Sequence, residues 1–325
     1  MPPQWSATAR FWITTLGAGV LSGLLHYMSL RGMPWLLAAM YFVQLPLFLV
    51  GLSLGLTASA LASLTAAVTT GVMASHWLWT AIFALSFAPP VLVIVRQALL
   101  SRPAAGRGME LSAAGRVEWY PPGLLTGWLV AVGVAIVLAA SGALLLSGGV
   151  ETQVTEMVGR FIDAIQKIMP SDLRIADPER AVAETAAYLP GTAAASLLVM
   201  TVVNALLAQL ALQRLDANLR PAPDIAELDL PVAVVVLFAA AAALGLLLPG
   251  DLGYVARNLA PVALVGAVLS GLAIVHAAVR RLGSRRWLLI AVYAATVLVM
   301  WPVFMLAAVG LAEPFLKLRR RLAGV

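Results

Sequence analysis

Residues 32–95 read GMPWLLAAMYFVQLPLFLVGLSLGLTASALASLTAAVTTGVMASHWLWTAIFALSFAPPVLVIV, sixty-four positions from Gly32 to Val95 without one Asp, Glu, Lys or Arg. As helix at 1.5 Å per residue, this stretch is roughly three times the ~30 Å thickness of a bilayer core. Hydrocarbon offers no partner to a free amide, so the run must cross as helices and turn back at least twice. The fold class follows. The chain reads as all-α, a polytopic integral membrane bundle of about eight or nine transmembrane helices plus one extramembrane amphipathic helix.

Composition agrees outward from that run. Apolar residues make up 62% of the 325 positions and charged residues 11%, against about 25% charged in soluble domains. Cysteine is absent, which excludes disulfides, thiolate metal sites and cysteine nucleophiles. The three histidines, His26, His76 and His276, lie far apart in sequence. The chain is basic, with a formal charge of +6. Its cations flank apolar segments, so they point to anionic lipid and loop anchoring rather than nucleic acid.

Nine apolar segments are read as spans of one transmembrane domain, residues 11–30, 34–50, 52–71, 77–95, 124–146, 192–211, 230–248, 259–279 and 287–312. The first is too long for the core of a cleaved signal peptide and is kept as a span. Trp77 and Trp79 suit an interfacial belt. The last segment is broken by Trp301-Pro302, so it is either one crossing or a broken, re-entrant one. On length, a single crossing is preferred.

Residues 150–188 form an extramembrane insertion. Val154, Met157, Val158, Phe161, Ile162, Ile165, Ile168 and Met169 recur at helical spacing, with Glu151, Glu156, Arg160, Asp163 and Lys167 mostly on other faces. Pro170 stops this helix, and Asp177-Pro178 opens a short one to Leu189. The insertion lies on the membrane, covers the bundle, or serves as a lid. The arginine-rich loops after the fourth and eighth spans place the N-terminus in the cytoplasm and the insertion outside. The location read is the bacterial inner membrane.

Small residues recur every fourth position at Gly51, Gly55, Ser59, Ser63, Ala67 and Gly71, with a shorter version at Gly19 and Gly23. Such stripes let helices approach closely. They serve either packing within the bundle or docking of another membrane protein. Polar side chains inside spans are few. Gln44 precedes Pro46, while Thr201, Asn204 and Ala208 share a face beside Gln209. Gln44, Asn204 and Gln209 either bond between helices or line a pocket for a neutral or weakly polar ligand. No span carries a clear mid-membrane carboxylate. No P-loop, HExxH, paired aspartates or GxSxG occurs, so neither a catalytic residue nor a metal or cofactor site is expected, and the chain is not read as an enzyme.

The close of the chain, AAVGLAEPFLKLRRR, together with Leu-Asp-Leu-Pro231 and the basic loop after the eighth span, resembles the YybS-like family of bacterial membrane proteins of unknown function. Gly310, Leu311, Glu313, Phe315, Arg319 and Arg320 match its Gly-Leu-acid turn, aromatic and basic cluster, with Ala312 where the acid would follow leucine directly. That family is distantly similar to the substrate-binding S-components of energy-coupling-factor transporters. The resemblance implies a helical bundle with an outward pocket, partnered by a coupling subunit and ATPases. S-components usually have six spans and an Ala-x-x-x-Ala pattern in the first, where this chain has Gly19-x-x-x-Gly23. Two functions are therefore expected. One is S-component-like binding or movement of an unidentified small solute. The other is a non-transporting scaffold or assembly factor acting through helix contacts, with a membrane partner or by self-association.

Overall fold

The computed structural model describes residues 6–31, 39–103, 117–169, 174–280 and 282–323. In chain order the elements are helices α1 (Ala7–Leu30), α2 (Leu45–Leu54), α3 (Leu56–Met73) and α4 (Trp77–Ala98), strands β1 (Ser101–Pro103) and β2 (Val117–Trp119), then α5 (Pro122–Leu145), α6 (Val150–Ile168) and α7 (Pro178–Arg214). The chain ends with α8 (Val232–Leu247), α9 (Gly250–Val279), α10 (Arg285–Val299), α11 (Pro302–Leu316) and α12 (Leu318–Ala323). Two compact units result, one from residues 1–129 and 199–227, the other from 130–198 and 228–325.

The first unit is organised by glycine. A Cβ on Gly19 would lie 2.5 Å from the Ala62 carbonyl oxygen, and one on Gly23 would lie 2.6 Å from that of Ala66. Glycine at these two positions lets α1 seat directly on the backbone of α3. Where lipid tails are as apolar as the side chains, this close approach is a main source of helix association. Thr70 Oγ1 adds a bond across the same seam to the Gly23 carbonyl at 3.3 Å. The second unit is built around α9, whose face carries the buried residues Val262, Ala263, Ala267, Ala273 and Ile274. Gly271 and Gly310 let α9 and α11 cross backbone to backbone, since a Cβ on either would run into the other helix's carbonyl. On α6, Val150, Val154, Val158 and Ile162 are buried with Ala186 and Tyr254. The amphipathic helix therefore covers its own unit with one face.

Among the described residues six helices are long and apolar enough to cross a bilayer, and the α10–α11 pair, bent by 117°, raises the number to seven if counted as one span. The nine expected segments differ from this in five places. The expected span 34–50 runs into α2 of only ten residues, begun at Leu45 after the Tyr41–Gln44 turn with Pro46 in its first turn, and ended by Gly55 at φ +96°. Ten residues rise only about 15 Å, half a bilayer core; residues 32–38 lie outside the described ones. The expected short helix to Leu189 and the expected span 192–211 are one helix, α7, with Pro190 inside it. Segment 259–279 begins earlier, at Gly250, because Pro249 and Gly250 (φ +64°) set the start nine residues upstream. Segment 230–248 gives only the sixteen residues of α8.

The last segment is not a single straight crossing. Met300 at φ +61° and Pro302 break it between α10 and α11. Segments 11–30, 52–71, 77–95 and 124–146 appear with shifted ends as α1, α3, α4 and α5. A small antiparallel hairpin, β1 with β2, adds to the expected elements. It pairs Arg102 with Glu118 through side-chain bonds of 2.8 and 3.1 Å.

Candidate functional site: a polar cluster in the first unit

The local cause of the site is a pair of helix interruptions. Pro89 and Pro90 have no N–H, so the carbonyls of Leu85 and Ser86 lose their usual donors four residues on. The turn ahead of them widens into a π-helical segment, Phe83–Phe87, and the Ala88 N–H bonds back to the Phe83 carbonyl. Widened turns of this kind displace a side chain and are frequent at functional sites. The second interruption is the Tyr41–Gln44 turn that precedes α2.

Three side chains hold that turn. Ser22 of α1 donates to the Val43 carbonyl at 2.5 Å, and Asn204 Nδ2 of α7 donates to the Tyr41 carbonyl at 2.6 Å. Gln44 Nε2 reaches across to the Phe87 carbonyl at 3.0 Å, tying the turn to the π segment. His26 packs its ring on Phe83 and Phe87, with centroids 5.3 and 4.7 Å away. The Tyr41–Gln44 turn thus gathers groups separated by up to 163 positions in sequence, and Gln44 ties it to the bulge.

What remains unpaired is more telling than what is bonded. Gln44 Oε1, Asn204 Oδ1 and His26 Nδ1 are buried with no hydrogen-bond partner among the described residues. Gln44 and Asn204 are fully buried, and His26 is 3% exposed. A buried, unsatisfied polar atom costs about 1–3 kcal/mol. Two amide oxygens accept only, and the imidazole nitrogen accepts or donates according to tautomer. The cluster suits a molecule bearing N–H or O–H groups.

The three polar residues expected to share a site do not all meet here. Gln44 and Asn204 share the turn. Gln209, five residues further along α7, donates its amide to the Arg220 carbonyl at 2.7 Å instead. Arg220, in the polar link that follows α7, is the centre of a separate clamp. It is 6% exposed and donates to the carbonyls of Ala98 at 2.9 Å and Tyr120 at 2.8 Å, with its guanidinium 5.9 Å over the Trp119 ring. Ala98 ends α4, so the cation meets the negative end of a helix. Burial holds the guanidinium below its ordinary value. No local signal in the sequence marks it, because its partners stand 100 and 122 positions away.

The small-residue stripe is divided by Gly55, which ends α2 before α3 begins. A Cβ on Gly51 would come within 2.7 Å of Val95, and one on Gly71 would run into Thr80 Oγ1. Ser59, Ser63 and Ala67 are buried. With Gly19 and Gly23 seated against α3, every one of these positions except Gly55 closes against the unit itself, and Gly55 serves the turn.

Glu313 also acquires a definite task. It is 4% exposed, and its carboxylate accepts the N–H groups of Leu318 at 2.8 Å and Arg319 at 3.3 Å, capping α12 beyond the left-handed Lys317. Arg319 Nε closes on the same carboxylate at 2.9 Å and its guanidinium also pairs with Asp229.

The family of predicted membrane proteins DUF2232 matches residues 116–312, more than half of the chain. The protein belongs to that family. Its membership and its apolar helices make it a multi-pass membrane protein in contact with lipid. The match covers Asn204, Gln209 and Arg220 and most of the second unit, and it stops one residue before Glu313. No curated protein and no solved structure matches the chain.

Proposed function

We propose that the protein binds a small, neutral or weakly polar solute within the membrane, against His26, Gln44 and Asn204, without an energy source of its own. The observation that carries this reading is the set of buried, unpaired atoms on His26 and Gln44, which meet the proline-widened segment, and on Asn204, which holds the adjoining Tyr41–Gln44 turn. A solute donating N–H or O–H groups to the two amide oxygens removes the cost of leaving them bare. Gln209 drops out of the contact set because its amide is engaged by Arg220.

The finer picture is S-component-like. The N-terminus lies in the cytoplasm of a bacterium, the chain sits in the inner membrane, and a separate coupling subunit supplies any energy. No bond-making step belongs to this reading. The rival, a scaffold or assembly factor docking partners through the small-residue stripe, finds little free surface there, since those residues close on helices of the same unit.

The test is thermal unfolding of detergent-purified protein against a panel of vitamins and other small metabolites, run on the wild type, Gln44→Leu and Asn204→Leu. A compound that raises the wild-type midpoint and leaves both variants unmoved is the expected result. A panel that shifts nothing, or a shift that survives in both variants, sinks the reading.

A further inference from the structure

The apolar side of α6 is wider than the surface that covers it. Val150, Val154, Val158 and Ile162 are buried in one cluster with Ala186 and Tyr254, and Leu144 and Val255 pack against that cluster. This seam fixes the helix on its own unit. Beside it runs a second apolar strip that the described residues leave open. Met157 is 54% exposed, Phe161 65% and Ile168 82%. With 3.6 residues per turn, these three side chains fall within about 40° of one another, in a line along the helix axis.

The two flanks of the seam differ. Across the helix from the strip stand Thr152, Thr155, Gly159 and Gln166, and the side turned away from the seam carries Glu156, Arg160, Asp163 and Lys167. Arg160 bonds Glu156 at 2.9 Å. A helix standing free in water gains nothing from an oily flank. One with an oily flank and a wet flank suits a boundary between two solvents. The spans place that boundary. Only four residues separate Leu145, the last of α5, from Val150, the first of α6. Asp251 Oδ1, in the first turn of α9, accepts the N–H groups of Val150 at 2.9 Å and Glu151 at 3.0 Å, so α6 begins level with the start of a second span. The chain segments that meet there expose Leu146, Leu246, Leu247 and Leu252.

We infer that α6 lies in the plane of the bilayer surface, with Met157, Phe161 and Ile168 sunk among the lipid acyl chains while the seam beside them holds the helix to its unit. Covering the bundle and lying on the membrane are then two tasks of one helix, carried by adjacent strips. The partner is the lipid surface because the strip continues the apolar surface that the ends of the spans expose, and because it runs straight along the axis, as contact with a plane requires. Glu156 and Asp163 balance Arg160 and Lys167 on the wet side, so apolar insertion and not headgroup charge supplies the hold. None of these residues belongs to the solute site, so the two readings stand or fall separately.

The chain has no cysteine, so single spin labels can be placed cleanly. The full-length protein is reconstituted in phosphatidylcholine vesicles with Met157→Cys, Phe161→Cys or Ile168→Cys on the strip, and with Thr152→Cys or Asp163→Cys on the other sides. All five positions are exposed, so labelling leaves the seam intact. Power saturation of the electron resonance signal reads collisions with oxygen, which concentrates among acyl chains, and with a nickel chelate, which stays in water. The expected ratio of oxygen to nickel collisions is several-fold higher at all three strip positions than at Thr152 and Asp163. If the chelate reaches the strip as readily as the other sides, α6 stands in water and the inference falls. If neither reagent reaches the strip, protein covers it, a second copy of the chain included, and the inference falls equally.

Discussion

Asn204 and Asn258 are the same residue type, each fully buried in a long apolar helix, one in each unit. Both donate Nδ2 to two carbonyls, including that of the residue four positions back, Met200 and Tyr254 respectively. They differ at the oxygen. Asn258 Oδ1 accepts the Gly191 N–H, so every polar group at the Pro190 break is matched, whereas Asn204 Oδ1 accepts nothing among the described residues. A helix break can therefore be closed completely, and where it is, the amide serves structure. Where a break is closed only in part, a leftover acceptor remains, and it is the group on which the proposed solute site rests.

The largest expected effect tests the completed break. Asn258→Leu strips partners from the Gly191 N–H and the Ala187 carbonyl together, at about 1–3 kcal/mol for each buried group. Its thermal midpoint should fall further than that of Tyr254→Phe, Gln44→Leu or Glu118→Gln, and a fall no greater than that of Asn204→Leu would erase the contrast. Tyr254→Phe isolates one bond of the same repair, to the Ala186 carbonyl, and should cost about 1–2 kcal/mol in denaturant unfolding. A neutral outcome would show that the carbonyl finds another donor.

On the incomplete side, Gln44→Leu removes one bond to Phe87 but also one orphan oxygen, so the two effects oppose each other. Its stability should change by less than about 1 kcal/mol, while any solute-induced shift disappears. A large destabilisation would make Gln44 a structural amide like Asn258. The smallest effect lies outside both clusters, at the Arg102–Glu118 pair on the hairpin, whose side chains are 76% and 50% exposed. The Arg102 guanidinium bonds and attracts the Glu118 carboxylate, holding its carboxyl below the ordinary glutamate range. A depressed folded pKa contributes stability above the unfolded pKa, and that contribution fades as pH falls through the folded value. Because the pair is exposed to solvent, Glu118→Gln should leave the midpoint at neutral pH unchanged within error and remove only this acid-side slope. Unfolding curves between neutral and acid pH, with and without the substitution, check it.

Much of the architecture was legible because membrane folding is written in local terms. An uncharged run of sixty-four residues cannot be stable in water, and helices must satisfy their own amides in lipid. The amphipathic spacing of 150–168 showed α6, and Asp177-Pro178 marked where the next helix begins, with Asp177 Oδ1 accepting the Arg180 N–H at 3.0 Å. The helix ends were harder to read. Pro190 looked like a boundary, yet α7 continues through it because Tyr254 and Asn258, more than sixty positions away, take over the freed backbone groups. A run of small residues looked like one continuous stripe, but Gly55 turns the chain between α2 and α3.

The site follows the same division. Sequence singled out Gln44 and Asn204 as the polar exceptions in apolar helices, since burying an amide is costly wherever it occurs. It could not tell which amides would find every partner. Gln209 turned to Arg220, Asn258 was overlooked although it is fully buried, and His26 gained its place only through the π segment beneath it.

The sequence by itself determined that this chain lives in lipid as several helices, because charge and hydrophobicity act residue by residue. The tertiary structure alone decided which prolines bend a helix and which end it, which glycines are contact points, and which buried amides keep an unpaired oxygen. Those outcomes depend on hydrogen-bond partners brought in from distant segments, and saturation of a hydrogen bond is a property of the assembled neighbourhood, not of the residue that offers it.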